Sequence, residues 1–521
     1  MKNAKIYMLI LCINLLHASH AITGDFDSTK AEISNLQISD PENILIYTSE
    51  LLRLSLEQDK DQEYLNSATE EELLDLRTIS AEKDCTLVVF MAANNDLYRF
   101  ALKNIVQMEA VGSNQNINII VQLHTPGANN PTKRYVIKKG KRLLVPAEGP
   151  ALTTKLDSGD PETLIDCVEW AMKYYPAKNL IVNFWNHGSG CWDPGVLKTI
   201  STYDLFYMNS ETNLLELDRS IEFIEHIEEQ NNYNQNEAKK NQDTLDDNDY
   251  LESEKRGICF DETYKSYMSN QDLKYALSQI QNRILGGKKI AAVWFDACLM
   301  SMIEITNICK DHADYFMGSQ DVEYASGSNY QLALSPFIDR SLSPKEFACH
   351  IVHSFEKAYQ NITRDFTQSA IDLSLTGVIE ENIELVAQQL VTAMQYQTDK
   401  SVFKMIQQSK SRPACTCFEE PSFIDIRHLY INLQANLGQI NLNDKAKEAT
   451  IKAELKFLLE KGINAINRAV IANTTGSNLS HACGISIYFP ERNIFHSYPI
   501  CSFARSNSWM NLLIQYLQQA R

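Results

Sequence analysis

From Cys85 onward the chain alternates short, continuously apolar runs with amphipathic helical patterns, an arrangement that few architectures other than α/β can satisfy. Thr86 to Ala93 (TLVVFMAA), Ile117 to His124, Leu180 to Trp185 and Ile290 to Phe295 read as strands buried on both faces. Between them, Leu97 to Val111 reads as a helix ending at Gly112, and Asp160-Pro161-Glu162 opens a helix that runs through Tyr175. In the latter, Asp160 is the N-cap, Pro161 fills the first turn and Glu162 sits at the positive end of the dipole. Buried strands joined by helices imply right-handed crossovers, so the expected fold is α/β, with a mostly parallel central sheet between two helical layers. Arg134 to Lys139 adds a strand with alternating exposure. Residues 85–340 form the main domain on this reading, and 341–521 form a C-terminal α+β region packed on it. That region has helices at Pro344 to Tyr359, Ile379 to Tyr396 and Ala446 to Ile471, with short strands near Gln368 to Leu373, Phe423 to Ile426 and Gly484 to Phe489.

The 521 residues carry a formal net charge of −18, unevenly distributed. Residues 22–84 hold 16 acidic against 5 basic residues, and residues 211–255 hold 14 against 4. The first segment reads as an acidic extension or a propeptide. The second, low in apolar residues and rich in Asn, Gln and Asp, reads as a mobile surface loop inserted into the main domain. Such loops are where proteases cut. Lys239, Lys240, Lys255 and Arg256 offer basic positions for that cut. Outside these two segments and the leader the charge sums to +1. No basic aromatic groove is identifiable, so nucleic acid is not an expected partner.

Lys2 and Lys5 precede an apolar run from Ile6 to Leu16 and a small-residue exit at Ser19-His20-Ala21, the pattern of a signal peptide covering residues 1–21. The run is too short to span a bilayer, and no later stretch is long enough. A secreted or periplasmic location without a membrane span is therefore expected. Eleven cysteines follow the leader, an odd number, so at least one thiol is unpaired within the chain.

Ligands of open α/β sheets bind beyond the carboxyl ends of the strands. Leu180 to Trp185 runs into Asn186-His187-Gly188-Ser189-Gly190, and Ile290 to Phe295 runs into Asp296-Ala297-Cys298. A histidine and a cysteine thus emerge from separate strand ends, as nucleophilic thiol chemistry requires. Gly188 lets the backbone approach a substrate, and its N–H with that of Cys298 offers a donor pair for an oxyanion.

These residues belong to a longer ordered set: FMAANNDL (Phe90 to Leu97), NHGSG (Asn186 to Gly190), RGICFDET (Arg256 to Thr263), FDACLM (Phe295 to Met300), DYFMGSQDVE (Asp314 to Glu323) and GISIYFP (Gly484 to Pro490). Together they resemble the clostripain family of cysteine peptidases, which has the caspase-like α/β/α sandwich. The resemblance implies that His187 is the catalytic histidine, Cys298 the nucleophile and Asp296 an acid in the S1 pocket facing a basic P1 side chain. It also implies protein or peptide substrates cut after Arg or Lys, and maturation between the histidine and the cysteine into chains that stay associated. Calcium is implied for some members; the residues themselves require no cofactor.

Two features depart from the family pattern. Cys191 intervenes before Trp192, and Ser326 stands at the ungapped position of a second pocket acid. They motivate two competing readings: a catalytically weak binding protein of the same fold, and a peptidase with non-basic P1 preference. Cys349-His350-x-x-His353 and the Cys415/Cys417 pair do not form a familiar four-ligand metal spacing, and HExxH, GxxxxGK[ST] and GxGxxG signatures are absent.

Overall fold

A computed structural model describes residues 78–145, 154–192, 206–217 and 257–520, together with a few positions between 69 and 76. The leader, most of the acidic extension and the basic positions Lys239, Lys240, Lys255 and Arg256 lie outside the described residues.

The core is a nine-stranded sheet. Its strands are β1 (Lys83–Met91), β2 (Ile117–Leu123), β3 (Lys133–Lys138), β4 (Lys141–Leu144), β5 (Ala177–Trp185), β6 (Ile290–Asp296), β7 (Ala313–Gly318), β8 (Thr367–Asp372) and β9 (Val470–Thr475). They lie in the order β9-β8-β7-β6-β5-β1-β2-β3-β4. The five central strands β7, β6, β5, β1 and β2 are parallel. At each edge the pairing turns antiparallel, through β3 and β4 on one side and β8 and β9 on the other.

The central strands are the runs that read as continuously apolar, and every residue of β2 and β6 is buried. Two layers of helices cover them. Tyr98–Glu109 and Pro344–Tyr359 contribute to one layer, where Trp294 of β6 meets Tyr330 at 5.1 Å and Phe347 at 6.1 Å. Pro161–Tyr174, Asn270–Gln279 and Ile303–Cys309 contribute to the other. Asp160 caps its helix by accepting from the Glu162 N–H at 3.0 Å, and Gly112 ends the preceding helix at φ +69°.

Three local expectations change. Arg134 is not alternately exposed: it is 2 % accessible, and its guanidinium bonds Gln122 Oε1 and Asp166 Oδ2. The sheet is continuous across position 340, because β8 and β9 close its edge; beyond 340, Phe423–Asp425 and Ser486–Tyr488 form a separate small sheet. The acidic insertion is not loop from its first residue. Leu214–Leu217 pairs with Phe206–Asn209 in a hairpin, bridged to the body by Leu215 and Thr363. Its alternation, with Leu215 and Leu217 on one face and Glu216 on the other, was obscured by the acidic composition around it.

Candidate active site

The site follows from strand register. Trp185 at the end of β5 is the parallel partner of Asp296 at the end of β6, and on its other side it pairs with Met91 of β1. Adding two residues to each member of the first pair reaches His187 and Cys298, so both emerge at one level from adjacent strands. They line one cavity together with Leu97, Trp185, Asp296, Glu323, Tyr324 and Gly327.

His187 is held from the β1 end. Its Nε2 lies 2.7 Å from Asp96 Oδ1. Burial opposes ionisation of Asp96, but the hydrogen bond and charge of His187 outweigh it and hold the carboxyl below its usual range. The backbone around the histidine is fixed in turn. Asn186 Oδ1 accepts from the Phe260 N–H at 2.9 Å, Gly188 forms an isolated antiparallel bridge with Ile258, and Ser189 Oγ donates to Gly257 O at 3.0 Å.

Cys298 is 8 % exposed, and its Sγ accepts from the Glu323 N–H at 3.2 Å. Burial pushes this thiol up to about 12. Leu299, directly after it, adopts φ +64° although it is not a glycine, while its N–H donates to Asp321 O at 3.1 Å. Left-handed backbone at a branched residue stores strain of about 1–3 kcal/mol and persists only where surrounding contacts enforce it. Gly188 packs against this turn: a Cβ there would lie 2.3 Å from Cys298 O. The glycine is therefore required by close approach of the two strand-end loops.

Asp296 is buried, with Oδ1 accepting from the Ser328 N–H at 2.9 Å and Oδ2 from the Tyr330 hydroxyl at 2.7 Å. Burial raises its pKa, and those hydrogen bonds oppose the rise. Ser326 turns to the Tyr359 hydroxyl, 3.0 Å away. Two residues that sequence reasoning left without a role enter the site, Asp96 and Glu323. Both stand inside blocks the sequence singles out, Asp96 in FMAANNDL and Glu323 at the end of DYFMGSQDVE, but nothing in the local pattern shows which way their carboxyls turn. The rim is completed by the hairpin, where Phe206 meets Tyr324 edge-on at 5.3 Å.

The inserted Cys191 is 1 % exposed, with its N–H directed at Met302 Sδ at 3.3 Å. Trp192 stacks on Phe495 at 4.7 Å and anchors the histidine loop to the C-terminal region. His350 Nε2 meets Leu332 O and His353 Nδ1 meets Cys349 O, both within or beside one helix. Among the described residues no group of three or more His, Cys, Asp or Glu is arranged to hold a metal ion. No helix among the described residues is long and apolar enough to cross a membrane.

A parallel sheet that brings a histidine and a cysteine to neighbouring strand ends over a single cavity is the architecture of an α/β cysteine peptidase. The sequence profile of the Clostripain family matches residues 89–237 and 239–515, and the chain belongs to that family. Among solved structures it is similar to a secreted C11 cysteine protease from Bacteroides thetaiotaomicron, "iotapain", at 16% identity and a TM-score of 0.50, covering 83% of this chain and 100% of that one. An inactive zymogen C11 protease from Parabacteroides distasonis matches at 16% identity and a TM-score of 0.48, over 84% of this chain and 99% of the other. The B. thetaiotaomicron protease in complex with an irreversible peptide inhibitor matches at 18% identity and a TM-score of 0.48, over 82% and 99%. Among curated proteins none matches. The enzyme is thus a cysteine peptidase whose fold is shared with C11 proteases.

Proposed function

We propose that the protein is a secreted endopeptidase that cleaves after Arg or Lys through Cys298 and His187. The observation that carries this reading is the shared cavity, which His187, Cys298, Asp296 and Glu323 line together. His187, oriented by Asp96, takes the thiol proton as Sγ attacks the scissile carbonyl, and passes it to the amine as the C–N bond breaks. The N–H groups of Gly188 and Cys298 are the donors assigned to the oxyanion. Water then hydrolyses the thioester and restores the thiol.

Maturation is assigned to cleavage within 211–256, at Lys239, Lys240, Lys255 or Arg256, with the two chains remaining associated. Association is supported by the sheet itself, since β1 to β5 precede that interval and β6 to β9 follow it. A thiol-directed probe bearing an Arg recognition element tests the site: rapid labelling at Cys298 supports the reading, and failure to label overturns it. Incubation of purified wild type beside Cys298→Ala tests maturation. Two chains from the former and one from the latter mean self-cleavage; one active chain from the wild type contradicts processing. The engagement of Asp296 by Ser328 and Tyr330 favours the alternative of non-basic P1 preference, which a P1-varied peptide library separates from the first reading.

A further inference from the structure

The strand Gly257–Asp261, which begins where the 211–256 interval ends, lies against the two loops that bring Asp96 and His187 together. The Phe260 N–H donates to Asn186 Oδ1 at 2.9 Å, directly before His187. Phe260 O accepts from Asn95 Nδ2 at 3.1 Å, and the Glu262 N–H donates to Asn94 O at 3.0 Å. Asn95 Oδ1 in turn accepts from the Leu97 N–H at 3.0 Å. The residues on both sides of Asp96 are thus tied, directly or through Asn95, to positions 260–262.

Asp261 stands at the centre of these contacts, 0 % exposed, with five donors on its carboxyl. Oδ1 accepts from the Asn94 side-chain amide and from the Thr263 and Tyr264 N–H groups at 3.0 and 3.1 Å. Oδ2 accepts from the Ser158 N–H at 3.2 Å and the Ser158 hydroxyl at 3.0 Å. The strand is bent at this point. Ile258 pairs with Met268 and Asp261 with Ser266, so three steps on one strand match two on the other, and Cys259 inside this bulge adopts φ +65°. Left-handed backbone at a residue with a side chain persists only where surrounding contacts enforce it. Asp261 is not among the residues that line the cavity.

We infer that Asp261 is a positioning residue for the imidazole, acting through Asn94 to hold the loop from which Asp96 orients His187. The inference rests on the assignment of Cys298 and His187 as the reacting groups. One residue separates Asn94 from Asp96, and Asp96 Oδ1 lies 2.7 Å from His187 Nε2, so a shift of the Asn94 backbone is passed to that contact. Removing the Asp261 carboxyl leaves the buried Asn94 amide and Ser158 N–H without an acceptor, and the loop moves to satisfy them. Asn94, Ser158 and Asn186 precede the 211–256 interval and Asp261 follows it. A cut in that interval therefore leaves the network as a contact between two chains, and the orientation of His187 in the first chain depends on the second.

The experiment is a double-mutant cycle in kcat and KM on the peptide that the wild type cleaves fastest, with Asp261→Ala, Asp96→Asn and the two combined. Asp261→Ala should lower kcat by about 30-fold while KM changes by less than about threefold. In the Asp96→Asn background the same substitution should lower kcat by less than about threefold, because the imidazole has already lost its orienting partner. An equal loss in both backgrounds would mean that Asp261 supports the fold at large and would overturn the inference, as would an unchanged kcat in Asp261→Ala alone. Wild-type turnover that persists in Cys298→Ala would overturn the assignment of the reacting groups and this inference with it. If Asp261→Ala does not fold, Asn94→Ala, which removes one of the five donors and leaves the carboxyl in place, is carried through the same cycle and judged by the same ratios.

Discussion

His187 Nε2 and Asp96 Oδ1 stand 2.7 Å apart although 91 residues separate them in the chain. The contact joins the ends of β1 and β5, and it makes Asp96 a positioning residue for the imidazole rather than a group that reaches substrate. Asp96→Asn should lower kcat by about 100-fold with little change in KM, because orientation matters in the transition state more than in binding. Asp96→Glu should recover part of the loss. Steady-state kinetics of the two variants checks this; an unchanged kcat in Asp96→Asn removes Asp96 from the account.

The resting thiol should behave as a thiol. Burial pushes Cys298 up to about 12, and Sγ accepts from Glu323 N–H. Its alkylation by iodoacetamide should therefore rise about tenfold per pH unit between pH 7 and 10, following the thiolate fraction. A plateau below pH 8 would show a preformed thiolate–imidazolium pair instead.

Gly188→Ala should abolish most activity without unfolding the protein. The added methyl would lie 2.3 Å from Cys298 O and must push the two strand-end loops apart. A displacement of that kind should cost about 100-fold in kcat/KM, with the far-UV spectrum retained. Activity within about tenfold of wild type would mean that the loops tolerate separation.

Glu304, on the helix following Cys298, predicts a pH-dependent stability. It is fully buried; Oε1 accepts from Tyr488 N–H and Tyr498 hydroxyl, both at 3.0 Å, and Oε2 has no hydrogen-bond partner among the described residues. Burial raises its carboxyl from 4.5 to about 7. The folded state then binds a proton that the unfolded state has lost, so stability falls as pH rises from 4.5 to about 7 and levels off above. The total is on the order of 3 kcal/mol. The drop in Tm between pH 5 and pH 8 should shrink in Glu304→Gln; an equal drop in both proteins contradicts this role.

The parts of the fold legible in the sequence were those decided by continuous burial. Strands β1, β2, β5 and β6 announce themselves as unbroken apolar runs, and Asp160-Pro161-Glu162 marks a helix start by its capping chemistry. Edge pairing is decided by tertiary context, so the antiparallel attachment of β8 and β9 to the main sheet could not be read from their short, mixed sequences. The placement of His187 and Cys298 on one cavity was legible because they follow strands directly. Asp96 lies five residues beyond Met91, and Glu323 lies in a loop after β7, where chain direction depends on contacts far away in sequence.

The central claim is that Cys298 attacks the bond after a basic residue. Its most direct measurement is turnover of short fluorogenic peptides ending in Arg or Lys by the wild-type protein and by Cys298→Ala, each matched for folding. Hydrolysis by the wild type and none above background for the variant is the expected result. Turnover by Cys298→Ala equal to that of the wild type would contradict it.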